Sequence, residues 1–93
     1  MKYDKEAVRI FKALGDATRY RIMKMLMERG ELSCADFDNE FKLSKPAMSH
    51  HYRILENAGL IETRKDGLHI YIRARAELVE KFLPNFTKTH LKK

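Results

Sequence analysis

The 93-residue sequence predicts a small, mainly α-helical domain that contains one β-hairpin. Three observations predict this fold class. Apolar residues recur at helical spacing in segments bounded by capping residues and glycines. A later segment changes to β-rich runs on either side of Asp66-Gly67, which is a strong hairpin signal. The length allows one modest core, so residues 1–93 are expected to form a single domain that is stabilised by a second copy.

The first part of the chain predicts helices that begin at capping residues and end at glycines. Asp16 is a strong N-cap signal, with Gly15 before it and Gly30 beyond the far end as natural helix stops. Only a single strand rung fits between Gly30 and the next helix. The predicted elements here are helices over residues 4–14, 16–29 and 34–41 and a strand rung at residues 31–33.

The helix predicted over residues 45–58 separates into two faces on a helical wheel. Ser44 is a good N-cap, and Gly59 is a natural stop. Apolar side chains fill one face together with His51, which we expect to be buried and hydrogen-bonded. The other face carries short polar and cationic side chains of the kind that read base edges and phosphates. Its members are Lys45, Pro46, Ser49, His50, Arg53, Glu56 and Asn57.

A basic hairpin follows that helix. Residues 42–75 carry a net charge of +4, whereas residues 1–41 carry none, so the positive excess begins with this part of the chain. The turn of the hairpin is expected at Lys65-Asp66-Gly67. A basic segment of this size suits a polyanion such as DNA, although a solvated basic face would look the same on charge alone.

Two helices joined by a turn and followed directly by such a hairpin form a winged helix-turn-helix, here with about five helices. In this arrangement the second helix enters the major groove of double-stranded DNA, and the hairpin, or wing, lies along the backbone. Arg19 and Arg21 fit a phosphate contact and a solvent-facing position equally well. The expected DNA contacts are Ser44, Lys45, Pro46, Ser49, His50 and Arg53 in the helix and Arg64, Lys65 and His69 in the wing.

The last helical segment begins near Ala76 and carries a wide apolar stripe that Pro84 should kink or interrupt. A core of this size cannot cover both this stripe and the apolar residues of the first helix. Exposed apolar patches of that extent seldom persist on monomers. The predicted homodimer interface therefore uses both terminal helices through Val8, Phe11, Leu78, Val79, Phe82, Leu83 and Phe86.

Three blocks of sequence together resemble the ArsR/SmtB family of bacterial winged-helix repressors. They are Lys12-Ala-Leu-Gly-Asp-Ala-Thr-Arg19, Leu43-Ser-Lys-Pro-Ala-Met-Ser-His-His51 and Leu55-Glu-Asn-Ala-Gly-Leu-Ile61. The resemblance covers the chain from about Ile10 to Arg73. It implies a homodimer built from the first and last helices that binds a palindromic operator and blocks transcription. In many members an inducer loosens DNA binding, so an inducer of unknown chemistry is implied as well.

The sequence departs from the metal-sensing members of that family. Where they carry Glu-Leu-Cys-x-Cys-Asp-Leu, this chain reads Glu31-Leu-Ser-Cys-Ala-Asp-Phe37, with Ser33 and Ala35 at the ligand positions. The last helix also lacks the Asp-x-His pair of the other common site. The sequence therefore predicts no metal site and no cofactor.

Other function classes have less support. No nucleophile-and-base arrangement or glycine-rich phosphate loop indicates an enzyme. A single cysteine favours a cytoplasmic protein, and no apolar run is long enough to cross a membrane. A protein-interaction winged helix remains an alternative, as does a redox-responsive regulator that uses Cys34. The acidic neighbours of Cys34 should raise its thiol pKa, which favours a small buried side chain over a reactive one.

Overall fold

A computed structural model of the chain describes residues 2–91, with side chains from Asp4 onward. This part of the chain forms six helices and three strands in the predicted order. Pro84 divides the predicted last helix into two, which explains the one helix beyond the expected five. The elements are α1 (Lys2–Leu14), α2 (Ala17–Arg29), β1 (Leu32–Ser33), α3 (Cys34–Glu40), α4 (Lys45–Asn57), β2 (Ile61–Asp66), β3 (His69–Ala74), α5 (Ala76–Phe82) and α6 (Phe86–His90).

Helices α2 and α4 begin at the predicted caps. The Asp16 carboxylate accepts hydrogen bonds from the Thr18 and Arg19 amides at 2.9 and 3.1 Å. The Ser44 hydroxyl accepts from the Ala47 amide at 3.2 Å. Each cap satisfies backbone donors that the first turn of a helix leaves without partners, so the start of each helix is set locally.

The three strands form an antiparallel sheet in the order β1-β3-β2. The predicted rung is present, because Leu32 pairs with Ile72 and adds a third strand beside β3. The turn lies one residue later than predicted. Asp66 and His69 are the last paired residues, so Gly67 and Leu68 form a two-residue turn. Gly67 has a φ of 62°, and a glycine with positive φ at the first central position is typical of a type II′ turn.

The hydrophobic core lies where α1, α2, α4 and the sheet meet. Ile10, Ile22, Leu55 and Ile72, one from each, are fully buried. The C-terminal helices complete this core. Val79 and Phe86 are only 1% and 2% exposed within one chain, so the prediction that they face a second copy is wrong. Val79 packs into the core from α5, and Phe86 packs there because α6 turns back onto α2.

The turn at Pro84 directs α6 toward α2. Asn85 adopts a left-handed conformation with a φ of 63°, and its amide donates to the Glu80 carboxylate at 3.1 Å. The Tyr20 hydroxyl and His90 Nδ1 are hydrogen-bonded at 2.8 Å, and the two rings meet edge to face. The end of the described chain is therefore fastened to α2 by a specific polar contact.

Candidate nucleic-acid interface

The two faces of α4 lie where the sequence predicted them. All seven residues of the polar face are exposed: Lys45, Pro46, Ser49, His50, Arg53, Glu56 and Asn57. All seven of the opposite face are buried or half-buried: Ala47, Met48, His51, Tyr52, Ile54, Leu55 and Ala58. The predicted rotation of the helix about its axis is thus confirmed, and the polar face is open along its whole length.

The end of α4 leads directly into the wing. The Gly59 amide donates to the Glu56 carbonyl at 2.9 Å, and the Leu60 amide donates to the Leu55 carbonyl at 3.0 Å. Gly59 has a φ of 80°, and a Cβ there would lie 3.3 Å from Leu78 Cδ2. Glycine therefore permits both the left-handed turn and the close approach of α5. Leu60 is fully buried, so the first residue after the turn anchors the base of the wing.

The wing stands beside the polar face of α4. The Thr63 hydroxyl donates to the Glu56 carboxylate at 3.1 Å, which joins β2 to the helix. An open cavity of about 440 Å³, the wing cleft, is lined by α4 residues Ser49 and Arg53 and by wing residues such as Thr63 and Ile70. The α4 residues predicted to reach a major groove therefore border the same cleft as the wing residues Thr63 and Ile70.

The cations of the polar face are available to an anionic partner. Lys45 and Arg53 are exposed, and among residues 2–91 neither forms an ion pair. Ser49 lies between them along the helix and presents a hydroxyl that can donate or accept. A guanidinium, an ammonium and a hydroxyl on one exposed helix face can bind phosphates and base edges.

The three contact residues predicted in the wing differ in whether they are free to bind a partner. Lys65 and His69 are exposed near the turn. Arg64, in contrast, donates two hydrogen bonds to Glu31, with Nη2–Oε1 at 2.7 Å and Nε–Oε2 at 3.0 Å. Its guanidinium also lies 4.5 Å from the centre of the Tyr71 ring. The hydrogen bonds from Arg64 lower the pKa of Glu31. Arg64 is therefore already paired within the protein.

Arg19 has an internal role that the sequence did not reveal. Its Nε donates to the Ala13 carbonyl at 2.6 Å, and its Nη1 lies 3.1 Å from His51 Nδ1. Because arginine only donates, His51 Nδ1 must accept in this contact. Arg19 thus joins the end of α1 to α4, so the structure gives it an internal contact instead of the solvent-facing position or phosphate contact considered from the sequence. The sequence feature that could have indicated this structural role is the Ala-Leu-Gly-Asp-Ala-Thr-Arg19 motif.

The predicted role of His51 agrees with its surroundings. Its side chain is only 15% exposed, and its Nδ1 also lies 3.8 Å from an Asp16 carboxylate oxygen. Burial lowers the pKa of His51, with a further decrease from Arg19 and a partial compensation from Asp16. The imidazole is held as a neutral acceptor between α2 and α4.

Arg21 contacts α3 while its side chain stays 56% exposed. Its guanidinium lies 3.8 Å from Glu40 and 4.7 Å from the centre of the Phe41 ring. This contact supports the packing of α3 on α2.

Known proteins with the same sequence pattern are transcriptional regulators. Residues 16–63, which include the whole helix-turn-helix, match the bacterial regulatory protein arsR family. The chain belongs to the ArsR family. The regulator YceK of Bacillus subtilis is 37% identical over 92 residues, which cover 96% of this chain and 92% of YceK. The transcriptional repressor SdpR of the same organism is 39% identical over 62 residues, covering 67% and 68%.

The fold is also that of solved ArsR-family structures. HlyU from Vibrio cholerae superimposes with a TM-score of 0.83 at 26% identity, and the match covers 98% of each chain. The family and these relatives are regulators and not enzymes, so this ArsR-family protein is a DNA-binding transcriptional regulator. None of the helices in residues 2–91 combines the length and apolar character that a bilayer crossing requires.

In this ArsR-family chain Ser33, at the first ligand position of the metal box, has a structural role. The Ser33 hydroxyl accepts from the Asp36 amide at 3.2 Å and caps α3, while Asp36 accepts from the Ser33 amide. Across residues 2–91, no three His, Cys, Asp or Glu side chains converge closely enough to hold a metal ion. His90, the histidine nearest the acidic residues of the C-terminal helices in sequence, is engaged with Tyr20.

Cys34 lies half-buried at the start of α3 beside Tyr52. Burial and the nearby Asp38 carboxylate raise the pKa of its thiol, in the direction predicted from the sequence. Burial also raises the pKa of Tyr52. A thiol kept protonated is a poor nucleophile, so this environment does not favour the redox-responsive alternative.

The terminal helices of this ArsR-family chain expose a smaller apolar surface than predicted. Val8 and Phe11 on α1 are each 51% exposed. Leu78, Phe82 and Leu83 are half-buried. Of the seven residues predicted for the interface, these five are therefore open to a partner and Val79 and Phe86 are not.

Proposed function

We propose that this ArsR-family regulator is a homodimeric repressor that binds a palindromic operator through α4 and the wing and has no metal-sensing site. The observation that carries the proposal is the polar face of α4. It is open from Lys45 to Asn57, and its cations have no acidic partner among the described residues. Such a face gains most by contacting a polyanion, because each phosphate neutralised releases condensed counterions.

Each part of the interface has a distinct role in this proposal. Arg53 and Ser49, in the middle of the polar face, read base edges, and the N-terminal end of α4 meets the backbone. Lys65 and His69 follow the backbone from the wing. Arg64 contacts a phosphate only when its guanidinium releases the Glu31 carboxylate and binds the phosphate in its place. The full set of proposed contacts is Ser44, Lys45, Pro46, Ser49, His50, Arg53, Arg64, Lys65 and His69.

The dimer in this proposal forms through α1 and α5. Val8 and Phe11 expose about half of their surface, and Leu78, Phe82 and Leu83 are only partly covered. A two-fold axis through this surface buries it in a self-complementary interface. Two recognition helices then enter successive major grooves about 34 Å apart, which matches a palindrome.

Metals have no place in this regulatory scheme, because the ligand positions are Ser33 and Ala35 and the capping hydroxyl of Ser33 is engaged. An inducer, if the chain has one, acts by stabilising a dimer in which the helix spacing no longer fits the operator. The proposed site of action is the cytoplasm.

The test of DNA recognition begins with genomic fragments that the purified protein retains, from which the operator is identified. Titration of this duplex then compares wild type with Arg53→Ala. We expect a loss of about 1–3 kcal/mol if the guanidinium contacts guanine with two hydrogen bonds. Lys88→Ala is the matched control, because it removes an exposed cation from α6 and should leave the affinity unchanged. Equal affinities of wild type and Arg53→Ala would contradict the proposed role of α4.

The test of the dimer is sedimentation at micromolar concentration. We expect a dimer for wild type and a monomer for Phe82→Asp, with loss of operator binding at physiological salt. Phe11→Asp is the second variant, because a residue that is 51% exposed can be replaced without unfolding the monomer. A wild-type monomer that binds one palindrome tightly would contradict the dimer.

A further inference from the structure

Arg19 connects the end of one helix to the middle of another through a single guanidinium. Its Nε donates to the Ala13 carbonyl at 2.6 Å, and its Nη2 donates to the Lys12 carbonyl at 3.4 Å. Its Nη1 lies 3.1 Å from His51 Nδ1. The nitrogens of one planar group therefore bind α1 and α4 at once, in directions that are fixed relative to each other.

The α1 end of this link suits a cation. The last carbonyls of a helix lack partners within the helix, and they carry the negative end of its dipole. Lys12 and Ala13 lie in the last turn of α1, so the guanidinium of Arg19 satisfies these carbonyls and balances the dipole. Phe11, which is 51% exposed, lies in the same turn. The link therefore begins in the part of α1 that carries the proposed dimer surface.

The α4 end of the link lies behind the surface proposed to face DNA. His51 is midway between Lys45 and Asn57, the two ends of α4. It belongs to the face that packs on the protein, whereas Ser49 and Arg53, two residues to either side, are exposed on the polar face. Any shift of α4 at His51 therefore moves the side chains that are proposed to read bases.

The link is also held at its origin in α2. The Asp16 carboxylate accepts from the Arg19 amide at 3.1 Å and lies 3.8 Å from His51 Nδ1, so the side chain of Arg19 starts from a capped first turn. Packed helices can slide by small amounts, whereas hydrogen bonds weaken steeply when their angles change. The link therefore fixes an orientation of α4 on α1 that the packing of these two helices leaves adjustable.

The separation of the two α4 helices in a dimer depends on this orientation. Half-sites ~34 Å apart place each α4 about 17 Å from the two-fold axis. At that distance, a change of ~10° in the angle between α1 and α4 displaces α4 by ~3 Å, which is close to the ~3.4 Å rise of one base pair. A small change of orientation is therefore enough to move each helix by one base pair.

We propose that Arg19 is a positioning residue that sets the distance between the two α4 helices of the dimer and thereby the spacing of the half-sites that the protein accepts. Arg19 does not contact DNA and acts through His51. The inference rests on the proposed dimer through α1 and on the proposed DNA recognition through α4. It adds a determinant of half-site spacing to the base contacts.

The experiment compares affinity for the operator with affinity for duplexes in which one base pair is inserted or removed between the half-sites. Wild type should bind the altered duplexes about tenfold more weakly, a loss comparable to that from one mismatched base pair. Arg19→Lys keeps the charge but loses the planar fork, so it should reduce this ratio of affinities below about threefold. His51→Leu removes the acceptor and should have the same effect. His51→Gln retains an acceptor and should keep the ratio of wild type.

Two controls separate positioning from stability. Arg21→Lys changes the other arginine near the start of α2, whose partner is Glu40, and should keep the ratio of wild type. Affinity for a short duplex with one half-site should be the same for wild type and Arg19→Lys, because no contact with DNA is lost. Partial unfolding would lower the affinity for every duplex by the same factor, so a change in the ratio reports the position of α4.

The possible failures are distinguishable. If wild type sediments as a monomer or binds no duplex, the proposed function fails. If wild type is a dimer that binds the operator, and Arg19→Lys and His51→Leu discriminate between the duplexes as strongly as wild type does, the positioning role alone is wrong. Equal binding of all the duplexes by wild type would overturn the inference as well. A loss of discrimination in Arg21→Lys would assign the effect to α2 as a whole, which also contradicts a specific role of Arg19.

Discussion

Arg64 in β2 and Glu31 before β1 form a two-point ion pair that crosses the face of the sheet over Tyr71, with N–O distances of 2.7 and 3.0 Å. The sheet has the strand order β1-β3-β2. The ion pair therefore connects the start of one outer strand to the other outer strand, across the middle strand β3. The Glu31 carboxylate therefore binds the guanidinium of Arg64, a residue that the sequence predicted to contact DNA. Glu31 and a DNA phosphate compete for the same donors.

This competition predicts the effect of Glu31→Gln on DNA binding. Removing the carboxylate charge releases Arg64, so affinity for any duplex should rise and the salt slope should steepen by about one. Salt-dependent titration of a non-operator duplex measures both quantities. In an Arg64→Gln background the same substitution should change neither. Weaker binding by Glu31→Gln would instead mean that the pair holds the wing in its productive position.

The two adjacent histidines of α4 should respond differently to replacement by alanine. His51→Ala should lower the free energy of unfolding by about 1–2 kcal/mol, because it leaves the Arg19 guanidinium short of an acceptor. His50 is exposed on the polar face, so His50→Ala should weaken operator binding with little change in stability. Denaturant melts and binding titrations of both variants check the ranking, and the reverse order would show that the helix faces are misassigned.

His51 should also make stability depend on pH. Its folded pKa lies below the ordinary value of 6.5 because of burial, so the unfolded chain binds this proton more readily. The free energy of unfolding should therefore carry the full contribution of His51 above about pH 6.5. It should decrease as the pH falls through that value toward the folded pKa. Urea midpoints at pH 7.5 and 5.5 measure the decrease. His51→Gln keeps an acceptor that does not titrate and should flatten the profile; an equally steep profile would assign the effect to another group.

Arg19 should be the more important of the two arginines at the start of α2. Its charged hydrogen bonds to Ala13 and His51 join three helices, so Arg19→Ala should cost about 2 kcal/mol of unfolding free energy. Arg21→Ala is the control and should cost below about 1 kcal/mol, because its ion pair with Glu40 is exposed. Equal losses in urea melts would mean that the Arg19 contacts contribute little in solution.

Zinc should not regulate this protein. Ser33 and Ala35 replace the thiolates that soft divalent ions prefer, and His90 is bonded to Tyr20. Micromolar zinc or cadmium should therefore leave operator affinity unchanged in an anisotropy titration. A stoichiometric release of DNA that a chelator reverses would overturn this expectation and would direct attention to His90 with Glu77 or Glu80.

The sequence by itself determined the features whose causes are local. The caps at Asp16 and Ser44, the stop at Gly59 and the break at Pro84 depend on backbone groups a few residues away. The two faces of α4 follow from helical periodicity within one segment, which is why every residue of its polar face was placed correctly. The Asp66-Gly67 signal predicted the hairpin, but the turn moved by one residue because the type II′ geometry needs Gly67 at its first central position.

Only the tertiary structure decided which side chains are free to act. Arg64 and Glu31 are 33 residues apart in sequence, and Arg19 and His51 are 32 apart, so no local pattern could pair them. Val79 and Phe86 have the same apolar character as their neighbours, and only the packing of α5 and α6 on the rest of the molecule placed them in the core. Helical and strand periodicity states which residues share a face, whereas the packing of distant elements determines what covers that face.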